Sequence, residues 1–211
     1  VCITGQLHSN EWPNWRGPNG DGKLPEVKSY PVEWSPEKNL LWKIDLSSPG
    51  NSSPIVFGEK LFLTQAQNKG QVRSLQCYST RDGSLLWERP VDYGRTDQTH
   101  KTNPYSSASP TTDGERIYAW HGNAGLYAYD LNGKGLWKRD LGNDYAHIWG
   151  PNAASPVIHG ETVILHAGPG LAVRLFGLDR KTGETIWEKN LPEFVSKEVG
   201  QFKGSWATPL L

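Results

Sequence analysis

The 211-residue sequence predicts an all-β fold: a β-propeller of four-stranded blades, here an incomplete ring of about three blades plus partial blades. Three observations lead there. A Gly stands four residues ahead of a Trp in "STRDGSLLW", "DLNGKGLW" and "DRKTGETIW", placing Gly83, Gly133 and Gly183 before Trp87, Trp137 and Trp187. Ser-Pro is followed, after three variable residues, by Gly-Glu in "SPIVFGE", "SPTTDGE" and "SPVIHGE", which start at Ser53, Ser109 and Ser155. With Trp42 included, the Trp residues are spaced by 45, 50 and 50 positions, the scale on which four-stranded blades repeat. A sandwich carrying unrelated Trp residues would not explain both fixed spacings.

Composition agrees. The chain has 23 Gly, 15 Pro and 10 Trp but no Met, so short aromatic and β-branched runs alternate with helix breakers. Lys+Arg and Asp+Glu balance at 22 each, which argues against nucleic acid or an anionic membrane as the main partner, since both need a basic field. No apolar run reaches the ~20 residues of a membrane helix. Cys2 and Cys77 form no disulfide framework.

Residues 1–9 read as the remnant of a secretory signal, with Cys2 a conceivable lipidation site that Val1 fits poorly. Residues 10–38 read as an extended N-terminal arm. Within it "GPNGDGKL" approaches the phosphate-loop pattern, yet it ends in Leu24 where Ser or Thr should hold Mg²⁺, and Pro25 follows. Residues 39–46, "NLLWKIDL", would be the outer strand of a blade whose inner strands come from elsewhere in a longer chain. Blades are expected over 51–91, 107–141 and 153–191, with 205–211 beginning another. In each, a small Ser or Ala beside Pro suits the crowded innermost strand, whose channel edge tolerates a missing donor. The Gly turns make hairpins, and Trp42, Trp87, Trp137 and Trp187 are expected to pack blade against blade. The chain is thus expected to be roughly the first half of a larger ring, and alone to self-associate through open blade faces.

The repeats "YAYDLNGKGLW" and "FGLDRKTGETIW" resemble the pyrroloquinoline quinone (PQQ) repeat family of β-propellers; the first copy departs, with Ser79 in the Asp place and Asp82 in the Thr place. The resemblance implies one of two functions: a quinoprotein dehydrogenase holding PQQ and Ca²⁺, or an interaction platform of the kind used in outer-membrane β-barrel assembly. A dehydrogenase of this family is expected to have a vicinal Cys-Cys pair and carboxylate ligands for Ca²⁺. The sequence has no adjacent Cys pair, and "DLNGKG" reads as a blade turn. The expectation is therefore a non-enzymatic scaffold in the periplasm or secreted, binding a protein or peptide, with no catalytic residues, no metal site and no cofactor; PQQ with Ca²⁺ is the alternative.

The binding groups are expected in the loops joining each Trp strand to the next Ser-Pro, because loops on one face of a rigid ring carry recognition. The candidates are His100, Asn103 and Tyr105 in the first, His147, Trp149 and Asn152 in the second, and Trp206 in the third. A metal site from His100 and His147 lacks a third ligand. His121, His159 and His166 carry no spacing signal. Asn51-Ser52-Ser53 matches a glycosylation sequon only formally.

Overall fold

The computed structural model describes residues 11–24, 31–142, 146–147, 150–170, 173–190 and 206–211. The chain forms three four-stranded antiparallel sheets, each with spatial order equal to chain order. The first blade is β1 (Ile55–Phe57), β2 (Lys60–Gln67), β3 (Val72–Ser79) and β4 (Leu85–Asp92). The second is β5 (Thr111–Thr112), β6 (Arg116–Trp120), β7 (Leu126–Asp130) and β8 (Gly135–Arg139). A two-residue pairing of β9 (Ala146–His147) with β10 (Gly150–Pro151) precedes the third blade: β11 (Val157–His159), β12 (Thr162–Ala167), β13 (Arg174–Asp179) and β14 (Thr185–Asn190). Among the described residues there is no α-helix, and no helix long and apolar enough to cross a membrane. The all-β, incomplete propeller expected from the sequence is what the chain forms.

Strand alternation builds the core. In β6, Ile117 and Ala119 face the first blade and meet Ile55, Phe62, Leu75 and Cys77. Tyr118 and Trp120 face the third and meet Val163, Leu165, Phe176 and Leu178. Both faces of the middle sheet are thus buried, so its strands are apolar at successive positions rather than at every second one.

The Gly and Trp of the repeat meet across blades. A Cβ on Gly83 would stand 2.7 Å from the Trp42 ring, one on Gly133 2.8 Å from Trp87, and one on Gly183 2.7 Å from Trp137. Each glycine also has a left-handed φ, +74°, +80° and +74°, so backbone and packing exclude other residues at the same position. The indoles of Trp42 and Trp137 donate to the carbonyls of Thr80 and Arg180 at 2.9 and 3.1 Å. Trp187, for which the described residues hold no following turn, is 40 % exposed.

Each outer strand carries the same bulge. Trp87 pairs with Cys77, Trp137 with Ala128 and Trp187 with Gly177, and the register then skips one residue: Leu86, Leu136 and Ile186. The small residue opposite each Trp makes room for its ring; a Cβ on Gly177 would fall 2.2 Å from the Trp187 indole. The turn acids act on the backbone. Asp179 Oδ1 accepts from the amides of Lys181 and Thr182, and Asp130 Oδ1 from those of Asn132 and Lys134. In the divergent first copy Ser79 Oγ accepts from Arg81 N, while Asp82 Oδ1 accepts from Ser84 N, so two residues share the task.

The Ser-Pro serines tie the inner strands together. Ser53 N donates to Ser109 Oγ (2.8 Å), Ser109 N to Ser155 Oγ (3.0 Å) and Ser155 N to Thr208 Oγ1 (2.9 Å). Smallness is therefore half of why serine recurs there; its hydroxyl satisfies the neighbouring blade's buried amide. On the channel edge, Trp12 exchanges two backbone hydrogen bonds of 2.9 Å with Val56, and Thr112 N donates to Pro13 O at 2.9 Å. The segment around Trp12 thus crosses from β1 to β5, and its glycines turn the chain beneath the Trp12 ring at Gly17. Among the described residues no strand-to-helix junction adjoins "GPNGDGKL".

Candidate binding face

One end of the blades gathers the β2–β3 and β6–β7 connections, which contain the 3₁₀ turns Asn68–Gly70 and Gly122–Ala124, with the loop running from β4 to β5. Its organising residue is Arg73 on β3, 1 % exposed. Nε donates to Gly70 O (2.7 Å), Nη1 to Tyr105 O (3.1 Å) and His121 O (3.2 Å), and Nη2 to Asp97 Oδ2 (2.7 Å). The rings of Tyr93 and Tyr105 lie 5.3 and 5.4 Å from the guanidinium. Asp97 Oδ1 in turn accepts from Tyr93 Oη (2.9 Å) and Asn123 Nδ2 (3.1 Å). One cation therefore fastens the β4–β5 loop to both connections and both blades. A buried pair with its remaining donors satisfied holds geometry, which a lone exposed pair does not.

Burial sets the titration of these groups. It pulls the Arg73 guanidinium below its ordinary value, with Asp97 pulling back, and pushes the Tyr93 phenol up to about 12, assisted by its bond to Asp97. His121 is 3 % exposed; burial first and the Arg73 charge second push it down to about 3, so its ring is neutral at neutral pH. Its Nε2 makes no hydrogen bond among the described residues.

His100 closes its own turn, its Nδ1 2.7 Å from Thr102 Oγ1 and its carbonyl accepting from Asn103 N. Asn103 Oδ1 accepts from Ser107 Oγ at 2.6 Å. Tyr105 lies over Gly70, where a Cβ would meet its ring at 2.5 Å. The backbone of His147 pairs with Gly150, and Trp149 lies outside the described residues. Asn152, 3 % exposed, accepts from Ala154 N through Oδ1, while its Nδ2 makes no hydrogen bond among the described residues. Trp206 is half-buried just ahead of Thr208. The structure thus brings Tyr105 onto the Arg73 hub and joins His100 to Asn103 in a turn of the same loop. The hub itself, Arg73, Asp97, His121 and Asn123, was not among the candidates taken from the sequence. An Arg inside an otherwise uncharged strand core, "VRSLQCYS", was the available signal, because such a cation must find a carboxylate.

A polar cleft of about 410 Å³ opens beside the hub, between the ends of β4 and β8, lined by Asp92, Tyr93, Arg95, Asn123, Tyr127 and Lys138 among others. Calcium takes six to eight oxygen ligands, and among the described residues no three His, Cys, Asp or Glu cluster. Cys77 is buried on β3 with no cysteine beside it.

A family model described as outer membrane protein assembly factor BamB matches residues 35–210. No curated protein sequence matches the chain. Among solved structures, the fold is similar to quinohemoprotein alcohol dehydrogenase from Comamonas testosteroni: TM-score 0.60, 13% identity, 88% of this chain and 28% of that one. It is also similar to the quinohemoprotein alcohol dehydrogenase ADHIIG from Pseudomonas putida HK5 (0.52, 18%, 72% and 22%) and to a europium-containing methanol dehydrogenase (0.51, 14%, 67% and 25%). The chain spans only about a quarter of the length of these enzymes, 28% at most, and at such identities the likeness is one of fold. Triplicate blades, the Trp-over-Gly seams and the match over residues 35–210 make this chain a member of the PQQ-like propeller family typified by the outer membrane protein assembly factor BamB.

Proposed function

We propose that the chain is a non-enzymatic scaffold of the cell envelope, periplasmic or secreted, that binds a protein or peptide through the face carrying the β4–β5 loop. The observation that carries this reading is the Arg73–Asp97 hub, which holds an exposed polar loop rigid against two blades. Preorganising a surface loop lowers the ordering cost of association. The Arg73 guanidinium donates to four groups within the protein, which supports a positioning role for it. The family's description as an assembly factor supports the same reading. A PQQ- and Ca²⁺-dependent dehydrogenase is the competing function. Titrating the purified chain with PQQ in the presence of Ca²⁺ separates them: no saturable binding and no dye-linked alcohol oxidation are expected, and tight quinone binding with oxidation would overturn the proposal.

A further inference from the structure

The cleft between the ends of β4 and β8 presents charged side chains of both signs beside aromatic rings. Its volume of about 410 Å³ lies in the range of small-molecule sites. Two acids, Asp92 and Asp140, and two bases, Arg95 and Lys138, face it. Arg139 also lines it, but its guanidinium is bound to the carbonyl of Gly183 and the hydroxyl of Thr185 on the third blade. Among the described residues the side chains of Asp92, Arg95 and Lys138 and the Tyr127 hydroxyl make no hydrogen bond. A ligand of one sign would meet repulsion from one pair of these charges, whereas an uncharged polyol can donate hydroxyls to the carboxylates and accept from the cations.

The rings are fixed in place. Tyr127 stands parallel to Tyr129 with centroids 6.3 Å apart, and the buried His121 ring lies against it at 5.7 Å. Tyr93 is held by Asp97 and the face of Arg73. Gly125, at φ +105°, lets the start of β7 pack closely on β8: a Cβ there would come 2.7 Å from Arg139 O and 3.4 Å from the Tyr127 ring. Rigid aromatic rings offer an apolar face at little entropic cost, and the C–H face of a pyranose is apolar enough to use it.

We infer that this cleft binds a short neutral saccharide, its apolar face against Tyr127 and its hydroxyls shared among Asp92 and Arg95 from the end of β4 and Lys138 and Asp140 from the end of β8. The site lies at the outer end of the first blade seam and does not rest on the protein-partner reading, which can fail without it.

Isothermal titration of the purified chain with maltotriose, cellotriose and chitotriose, and with the peptides Ala-Ala-Ala-Ala and Lys-Gly-Asp-Gly, tests it. At least one trisaccharide should bind with saturation at millimolar concentration or below. Asp92→Asn and Lys138→Gln, both at exposed positions, should each weaken it about tenfold, as loss of a charge-assisted hydrogen bond does, while Glu184→Gln on the opposite face should leave it unchanged. No saturation by any trisaccharide at millimolar concentration would overturn the inference. So would binding indifferent to both substitutions, or tighter binding of either peptide.

Discussion

Replacing Gly133 by Ala tests how the blades are joined. The position has φ +80°, and left-handed backbone costs a residue with a Cβ roughly 1–2 kcal/mol. The new methyl would also stand 2.8 Å from the Trp87 ring and 3.0 Å from the Arg89 guanidinium, and forcing a ring and its flanking cation aside typically adds about 1–3 kcal/mol. Gly133→Ala should therefore cost about 2–5 kcal/mol. Gly58 supplies the control: φ is +59°, but nothing lies within 4 Å of its added Cβ, so Gly58→Ala should cost only the backbone share, about 1–2 kcal/mol. Urea unfolding followed by Trp fluorescence gives both values. Trp87→Ala should remove most of the difference, since the two substitutions share a contact and should not be additive. Equal costs at Gly133 and Gly58, or an unchanged difference without the Trp87 ring, would mean that the Trp rings do not set the blade seams.

Three further outcomes are expected. Asp97→Asn leaves Arg73 buried without its counter-ion and should cost about 3–5 kcal/mol, with faster proteolysis within residues 93–110 than in the blades; intact protection of that loop would contradict its anchoring role. His121 has a folded value of about 3 against an ordinary 6.5, so the unfolded chain binds more protons between those limits. Its contribution is complete above pH 6.5 and is lost as pH falls towards 3, and His121→Gln should flatten stability against pH in that window; an unchanged slope would show that other groups dominate. Ser109→Ala strips the acceptor from Ser53 N and should lower stability by about 1–3 kcal/mol, measurable by thermal unfolding; a neutral result would reduce the serine's role to its size.

The blades were legible because their sequence signals are local and repeated. Gly four residues before Trp marks a turn and the outer strand after it, and Ser-Pro with Gly-Glu marks the inner strand, so strand count and order follow from spacing alone. The partners of those signals were not legible. That Gly133 seats Trp87, a residue of the preceding repeat, depends on how sheets stack, and the Ser53-to-Ser109 bond joins positions 56 residues apart. The candidate site shows the same divide. His100, Asn103 and Tyr105 stood out as polar loop residues, whereas Arg73 lies within a strand that otherwise reads as core. Its importance arises because two blades and a loop bring the carbonyls of Gly70, Tyr105 and His121 and the carboxylate of Asp97 to one guanidinium.

Site-directed photocrosslinking in the envelope tests the scaffold reading most directly. A crosslinker at Lys101, exposed in the β4–β5 loop, should capture discrete envelope proteins, and one at Lys181, exposed in the β13–β14 turn at the other end of the blades, should capture few. Equal capture from both positions, or none from Lys101, would contradict a binding face built on the Arg73 hub.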